Sequence, residues 1–124
     1  MDDVTLGRQT LTGRRERHIF NTGRHKIIYE TVGSGPPLLL VHGLSGSGRW
    51  WKHNLHALAA HFTCHIVELV GYGANRALRP LRLEAAAEAI ALFIATETPT
   101  GRAHIIGHSM GGQISSYLAS HYPE

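Results

Sequence analysis

The chain has 124 residues, 43% hydrophobic and 17% charged, a balance that suits one modest globular domain and excludes wholesale disorder. Its formal net charge is +3, but the basic residues are scattered and no aromatic residues interleave them, so they read as solvated surface and not as a nucleic-acid interface. No apolar stretch is long enough to span a bilayer or to form the core of a secretion signal, and Cys64 as the sole cysteine excludes an internal disulfide, so a cytoplasmic protein without membrane contact is expected.

Residues 1–17 are polar and aperiodic and are expected to be a flexible leader, with the folded unit spanning residues 18–124. His18 to Asn21 and Lys26 to Val32 read as two strands joined by the turn Asn21-Thr22-Gly23-Arg24, an antiparallel hairpin at a sheet edge. Gly33-Ser34-Gly35-Pro36-Pro37 breaks that pattern, and Leu38-Leu39-Leu40-Val41 is a run expected of a strand buried on both faces. The small residues from Ser45 to Gly48 allow a tight turn into a helix that places Trp51, Leu55, Leu58, Ala59 and Phe62 on one face and Lys52, His53, His56 and Ala60 elsewhere. Thr63 to Leu69 reads as the next strand, closed by Gly71-Tyr72-Gly73, and Ala74 to Arg82 as a basic loop, a candidate border of a substrate entrance. Leu83, Ala86, Ala87, Ile90 and Ile94 form the apolar stripe of a helix from Leu83 to about Ala95, with Glu84 and Glu88 opposite. Arg102 to Gly107 supplies a further strand, with Ile105 and Ile106 as its buried end, and Ile114, Tyr117, Leu118 and His121 recur at helical spacing after it. Strands alternating with helices in this order predict an α/β fold, a mostly parallel sheet with an antiparallel N-terminal hairpin and helices on both faces.

Where that last strand meets that last helix stands Gly107-His108-Ser109-Met110-Gly111-Gly112. A strand-to-helix turn this sharp forces its central residue into a strained backbone and crowds its neighbours, so glycine is wanted two residues before and two after Ser109. Such a turn lifts a serine hydroxyl clear of the sheet and sets the first N–H groups of a helix beside it, where they can donate to a developing oxyanion. Acyl transfer through Ser109 is the chemistry that this arrangement suits.

Taken together, Pro36 to Gly43, Glu68 to Gly73 and Gly107 to Gly112 resemble the amino-terminal half of the α/β-hydrolase family, and the resemblance runs from about His18 to Glu124. It implies a cofactor-independent serine hydrolase, esterase-like, with Ser109 as catalytic nucleophile in a nucleophile elbow and a small-molecule acyl substrate. It implies an oxyanion hole made by the backbone N–H groups of Leu44 and Met110, with His42, Gly43, Gly107, His108 and Gly111 shaping the site. A serine at 109 argues against the dehalogenase and epoxide-hydrolase branches, which use an aspartate. Glu68 stands where aspartate is usual and reads as structural.

Neither His42 nor His108 is expected to be the catalytic base: His42 is placed to hydrogen-bond its own loop, and the His108 ring should project away from the hydroxyl. In the family the acid and histidine follow the serine on later loops, whereas here the only aspartates are Asp2 and Asp3 and no histidine follows His121. The chain is therefore expected to be an incomplete domain, inactive or nearly so alone, and to self-associate or pair with a complementary C-terminal segment through the open edge at Arg102–Ile106. A non-catalytic truncated chain or interaction module is the alternative. His53, His56, His61 and His65 near Cys64 lack the spacing of a metal site, and no metal or cofactor is expected.

Overall fold

The run Pro37–Val41 has almost no polar face, and it forms an interior strand of the sheet, β3, buried on both sides. The structure, a computed structural model, describes residues 17–43, 48–69 and 82–124. Five strands, β1 (His18–Asn21), β2 (Lys26–Gly33), β3, β4 (Thr63–Glu68) and β5 (His104–Gly107), lie in the order β1-β2-β4-β3-β5. β3 is parallel to β4 and to β5, whereas β1 with β2 and β2 with β4 are antiparallel. The result is an open mixed α/β sheet with the hairpin at one edge and β5 at the other.

Because side chains alternate across a strand, the register sorts the core into two layers. Leu39 and Val41 stand beside His65 and Val67, and this face packs under α2 (Leu83–Glu97) and α3 (Met110–His121) with Ile90, Phe93, Ile114 and Leu118. Leu38 and Leu40 stand beside Cys64 and Ile66 on the opposite face, covered by Trp51 and Leu55. Trp51 ends a 3-10 turn, Gly48–Trp51, and Leu55 opens the short helix α1, Leu55–Ala59.

Several elements differ from expectation. The helix expected from Gly48 onward is divided, because Lys52 and Asn54 donate their backbone N–H groups three residues back, to Arg49 and Trp51, and tighten the chain before α1 begins. The expected inward and outward sets nonetheless hold: Trp51 and Leu55 are buried, Leu58, Ala59 and Phe62 pack beside them, and Lys52, His53, His56 and Ala60 face solvent. The strand toward Ser109 begins at His104, not at Arg102, and Ile106 is 40% exposed where a buried position was expected. The cause is position: β5 is an edge strand, and while Ile105 turns toward α2 and α3, Ile106 lies on the other face, beyond the reach of the 3-10 turn and α1. The expected leader falls outside the described residues except for Arg17, whose exposed side chain lies 3.4 Å from Glu30.

Candidate active site

At the C-terminal end of β5 the chain reverses into α3 within two residues, His108 and Ser109. Ser109 sits there with φ 56° and ψ −112°, the only positive φ at a non-glycine among the described residues, and its side chain is exposed. An L-residue holds such a conformation at a cost of about 1–3 kcal/mol, and only when its surroundings over-determine it. Three glycines do so here. A Cβ at Gly107 would strike the Gly111 carbonyl, one at Gly111 would strike the carbonyl of Val41, and one at Gly43 would stand 2.9 Å from His108 Nδ1 and 3.2 Å from Ser109 Cβ. Gly112 has room, its nearest neighbour being 3.6 Å away. The elbow is thus wedged against the end of β3, and the His108 N–H seals the contact by donating to Val41 O at 3.0 Å.

The helix that opens at Met110 turns its early N–H groups inward. Gly111 donates to His108 O at 2.9 Å, and Gly112 and Gln113 donate to Ser109 O at 2.9 and 3.1 Å. The N–H of Met110, at the first helical position, adjoins the Ser109 side chain at the positive end of the helix dipole. Leu44, the second expected oxyanion donor, lies outside the described residues, as do Ser45 to Ser47, Gly71-Tyr72-Gly73 and most of the basic loop.

His42, fully buried, continues directly from β3. Its Nδ1 lies 2.9 Å from the Gly43 carbonyl, and its Nε2 accepts the Leu69 N–H at 3.2 Å. Burial lowers its pKa, opposed by the Gly43 carbonyl and by the Glu68 carboxylate. The His108 ring is exposed and lies against Gly43. Glu68 is buried at the end of β4 beside the Leu69 amide that His42 holds. Leu69 was not legible as a site neighbour, since it contributes a backbone N–H and lies 27 residues from His42.

Other candidate groups stand apart. His65 is buried between sheet and α2, with Thr31 Oγ1 3.0 Å from Nδ1 and its ring against Phe93 and Tyr29. Cys64 is buried in the opposite layer, and burial raises its thiol pKa. Among the described residues no group of three or more His, Cys, Asp or Glu side chains could hold a metal ion. None of the described helices is long and apolar enough to cross a membrane.

A strained serine between a parallel strand and a helix, backed by glycines and by the end of a neighbouring strand, defines the elbow of an α/β-hydrolase-type sheet. The alpha/beta hydrolase fold family matches residues 36–124, and the chain belongs to that family. It is similar to esterases called pimeloyl-[acyl-carrier protein] methyl ester esterase: 32% identical over 96 residues to that of Vibrio vulnificus (strain YJ016) and 38% identical over 98 residues to that of Aeromonas salmonicida (strain A449). Each match covers 77% of this chain and 36% of the relative, so the chain spans about a third of the length of those esterases. Among solved structures, an epoxide hydrolase from an endophytic Streptomyces superposes with a TM-score of 0.72 at 30% identity, covering 87% of this chain and 34% of that one.

Proposed function

We propose that this chain carries the nucleophile of an ester-cleaving serine hydrolase, with Ser109 Oγ attacking the carbonyl carbon of a small acyl ester. The observation that carries the reading is the backbone of Ser109, forced to φ 56° with its side chain in solvent where β5 turns into α3. Attack would form an Oγ–C bond and place negative charge on the former carbonyl oxygen. The N–H groups of Met110 and Leu44 would receive it, and collapse would expel the alcohol and leave an acyl-serine for water to release. The esterase relatives favour a methyl ester of an acyl chain as substrate class, and serine at the elbow favours an ester over an epoxide. A cytoplasmic setting belongs to the same reading.

Ser109 needs a base to take its proton, and this reading assigns that role to neither His42 nor His121. Both ring nitrogens of His42 are engaged by backbone groups. His121 closes α3, roughly 18 Å along the helix from Ser109 at 1.5 Å per residue, with its ring stacked on Tyr117. The chain alone is therefore proposed to retain only what the oxyanion hole and binding supply, about 10³–10⁴-fold over water in serine proteases stripped of a triad member. Incubation with a fluorophosphonate and mass spectrometry tests this. Slow modification of Ser109, abolished by Ser109→Ala, is expected, whereas modification indifferent to that substitution would overturn the reading. Ester binding that survives Ser109→Ala with no modification of Ser109 would favour a non-catalytic module.

A further inference from the structure

We propose that the layer formed by the 3-10 turn and α1 is a docking surface for an acidic protein segment, gripped by Arg49 and Lys52 and held more tightly as His53, His56 and His61 take up protons. The inference stands apart from the ester-hydrolase reading and does not involve Ser109.

The basic residues look scattered along the chain, but the fold gathers some of them. Arg17 meets Arg49 and Lys52 around a hollow of about 120 Å³ over β2 and β4. The two carboxylates there are Glu30, whose side chain is 20% exposed and lies 3.4 Å from Arg17, and Glu68, which is buried. Three cations thus surround two anions, and all three cations are exposed. From Thr31 to Val67 the sequence contains no Asp or Glu. The charged and titratable side chains that this layer turns to solvent are therefore all basic: Arg49, Lys52, His53, His56 and His61.

Histidine is the side chain that changes charge between pH 5 and 8, so a face with two fixed cations gains positive charge as pH falls. The groups beneath do not cancel that gain. α1 packs against β4 and β2, and the 3-10 turn against β4 and β3. The charged or titratable side chains on that side of the sheet are Lys26 and Glu30 on β2, Cys64 and Glu68 on β4 and His104 on β5, whereas β3 supplies none. Only Glu30 and Glu68 are acidic, and both line the hollow that the three cations surround. The chemistry of the face selects the partner. Among the described side chains the exposed large apolar groups are Ile19, Leu92, Ile106 and Tyr122, and none belongs to the 3-10 turn or α1, so this layer has no anchor for a bilayer and no ring for bases to stack on. Carboxylates need neither. His61 lies twelve residues beyond Arg49, at most about 24 Å at 2.0 Å per residue, the reach of about seven extended residues.

Fluorescence anisotropy of a labelled peptide of about eight glutamates tests the proposal. Binding should tighten about tenfold from pH 8 to pH 6, the size that three exposed ion pairs would give, and should weaken with added salt. Arg49→Gln with Lys52→Gln should abolish it. Arg24→Gln with Arg82→Gln removes the same net charge from the hairpin turn and the start of α2, and should leave binding in place. The triple variant His53→Gln, His56→Gln, His61→Gln should bind at pH 8 as the unsubstituted chain does and lose the gain at pH 6. No binding at pH 6 in low salt overturns the proposal, as does equal loss in the two double variants, which would mean that net charge alone is responsible. A gain at pH 6 that persists in the triple variant overturns the role of the histidines. If Arg49→Gln with Lys52→Gln fails to fold, the triple variant decides alone. Tighter binding to phosphatidylglycerol vesicles or to an oligothymidylate than to the peptide would overturn the assignment to an acidic protein segment.

Discussion

The conformation of Ser109 has a cost that side-chain chemistry alone does not impose. Glycine adopts positive φ without a Cβ clash, whereas alanine inherits the strain of serine. Relief of about 1–3 kcal/mol, less the roughly 0.5–1 kcal/mol of backbone entropy that glycine adds to the unfolded chain, leaves a net gain. Ser109→Gly is expected to be more stable than Ser109→Ala by about 1 kcal/mol, read as a higher urea midpoint at unchanged slope, with Ser109 modification lost in both. Equal midpoints would mean that the elbow is not strained. The same steric demand explains why Gly107 and Gly111 were legible two residues either side of the serine: a crowding rule that acts over four residues leaves its mark in the local sequence. The link from His42 to Leu69 leaves none, because one partner is a backbone N–H and the other lies 27 residues away.

At the scale of elements, the apolar stripe of α2 predicted the helix and most of its inward face but not its main anchor. Phe93 is fully buried, with its ring edge-on to Tyr29 at 4.8 Å, Phe20 at 5.4 Å and His65 at 5.7 Å, partners drawn from three different strands. Helical spacing sees a stripe, and only the sheet beneath decides how wide that stripe must be. His65 in this layer makes stability depend on pH. Burial lowers its pKa below the ordinary 6.5, opposed by the Glu97 carboxylate, and burial does the same to His42. Above pH 6.5 both rings are neutral in folded and unfolded chains, and their contribution is fully present. As pH falls below 6.5 the unfolded chain takes up protons that the folded chain refuses, and stability drops until the lowered pKa values are passed. Urea midpoints should therefore decline from pH 7 toward pH 5, and His65→Leu should flatten the decline whatever its effect on the midpoint at pH 7. An unchanged slope in that variant would place the titration elsewhere.

For the whole molecule, the two edges of the sheet are not equivalent. β1 lies outside β2 with polar Asn21 and His18 at its ends, whereas β5 pairs only with β3 among the described strands and carries Ile106 at 40% exposure. Beside β5 runs a groove of about 520 Å³ between α2 and α3, lined by Ile94, Ala103, Ile105, Leu118 and Tyr122. An edge with open N–H and C=O groups beside apolar surface is a template for another strand, and a second copy meeting it antiparallel about a two-fold axis would extend the sheet across both chains. We propose that the chain on its own self-associates through this edge. Light scattering should show a mass that rises with concentration, and Ile106→Lys, which puts a charge on the exposed face of β5 without touching the buried layers, should restore the monomer. A concentration-independent monomer in the unsubstituted chain would contradict the proposal. Association that survives Ile106→Lys would locate the contact away from β5 and leave that edge available to a strand of different sequence.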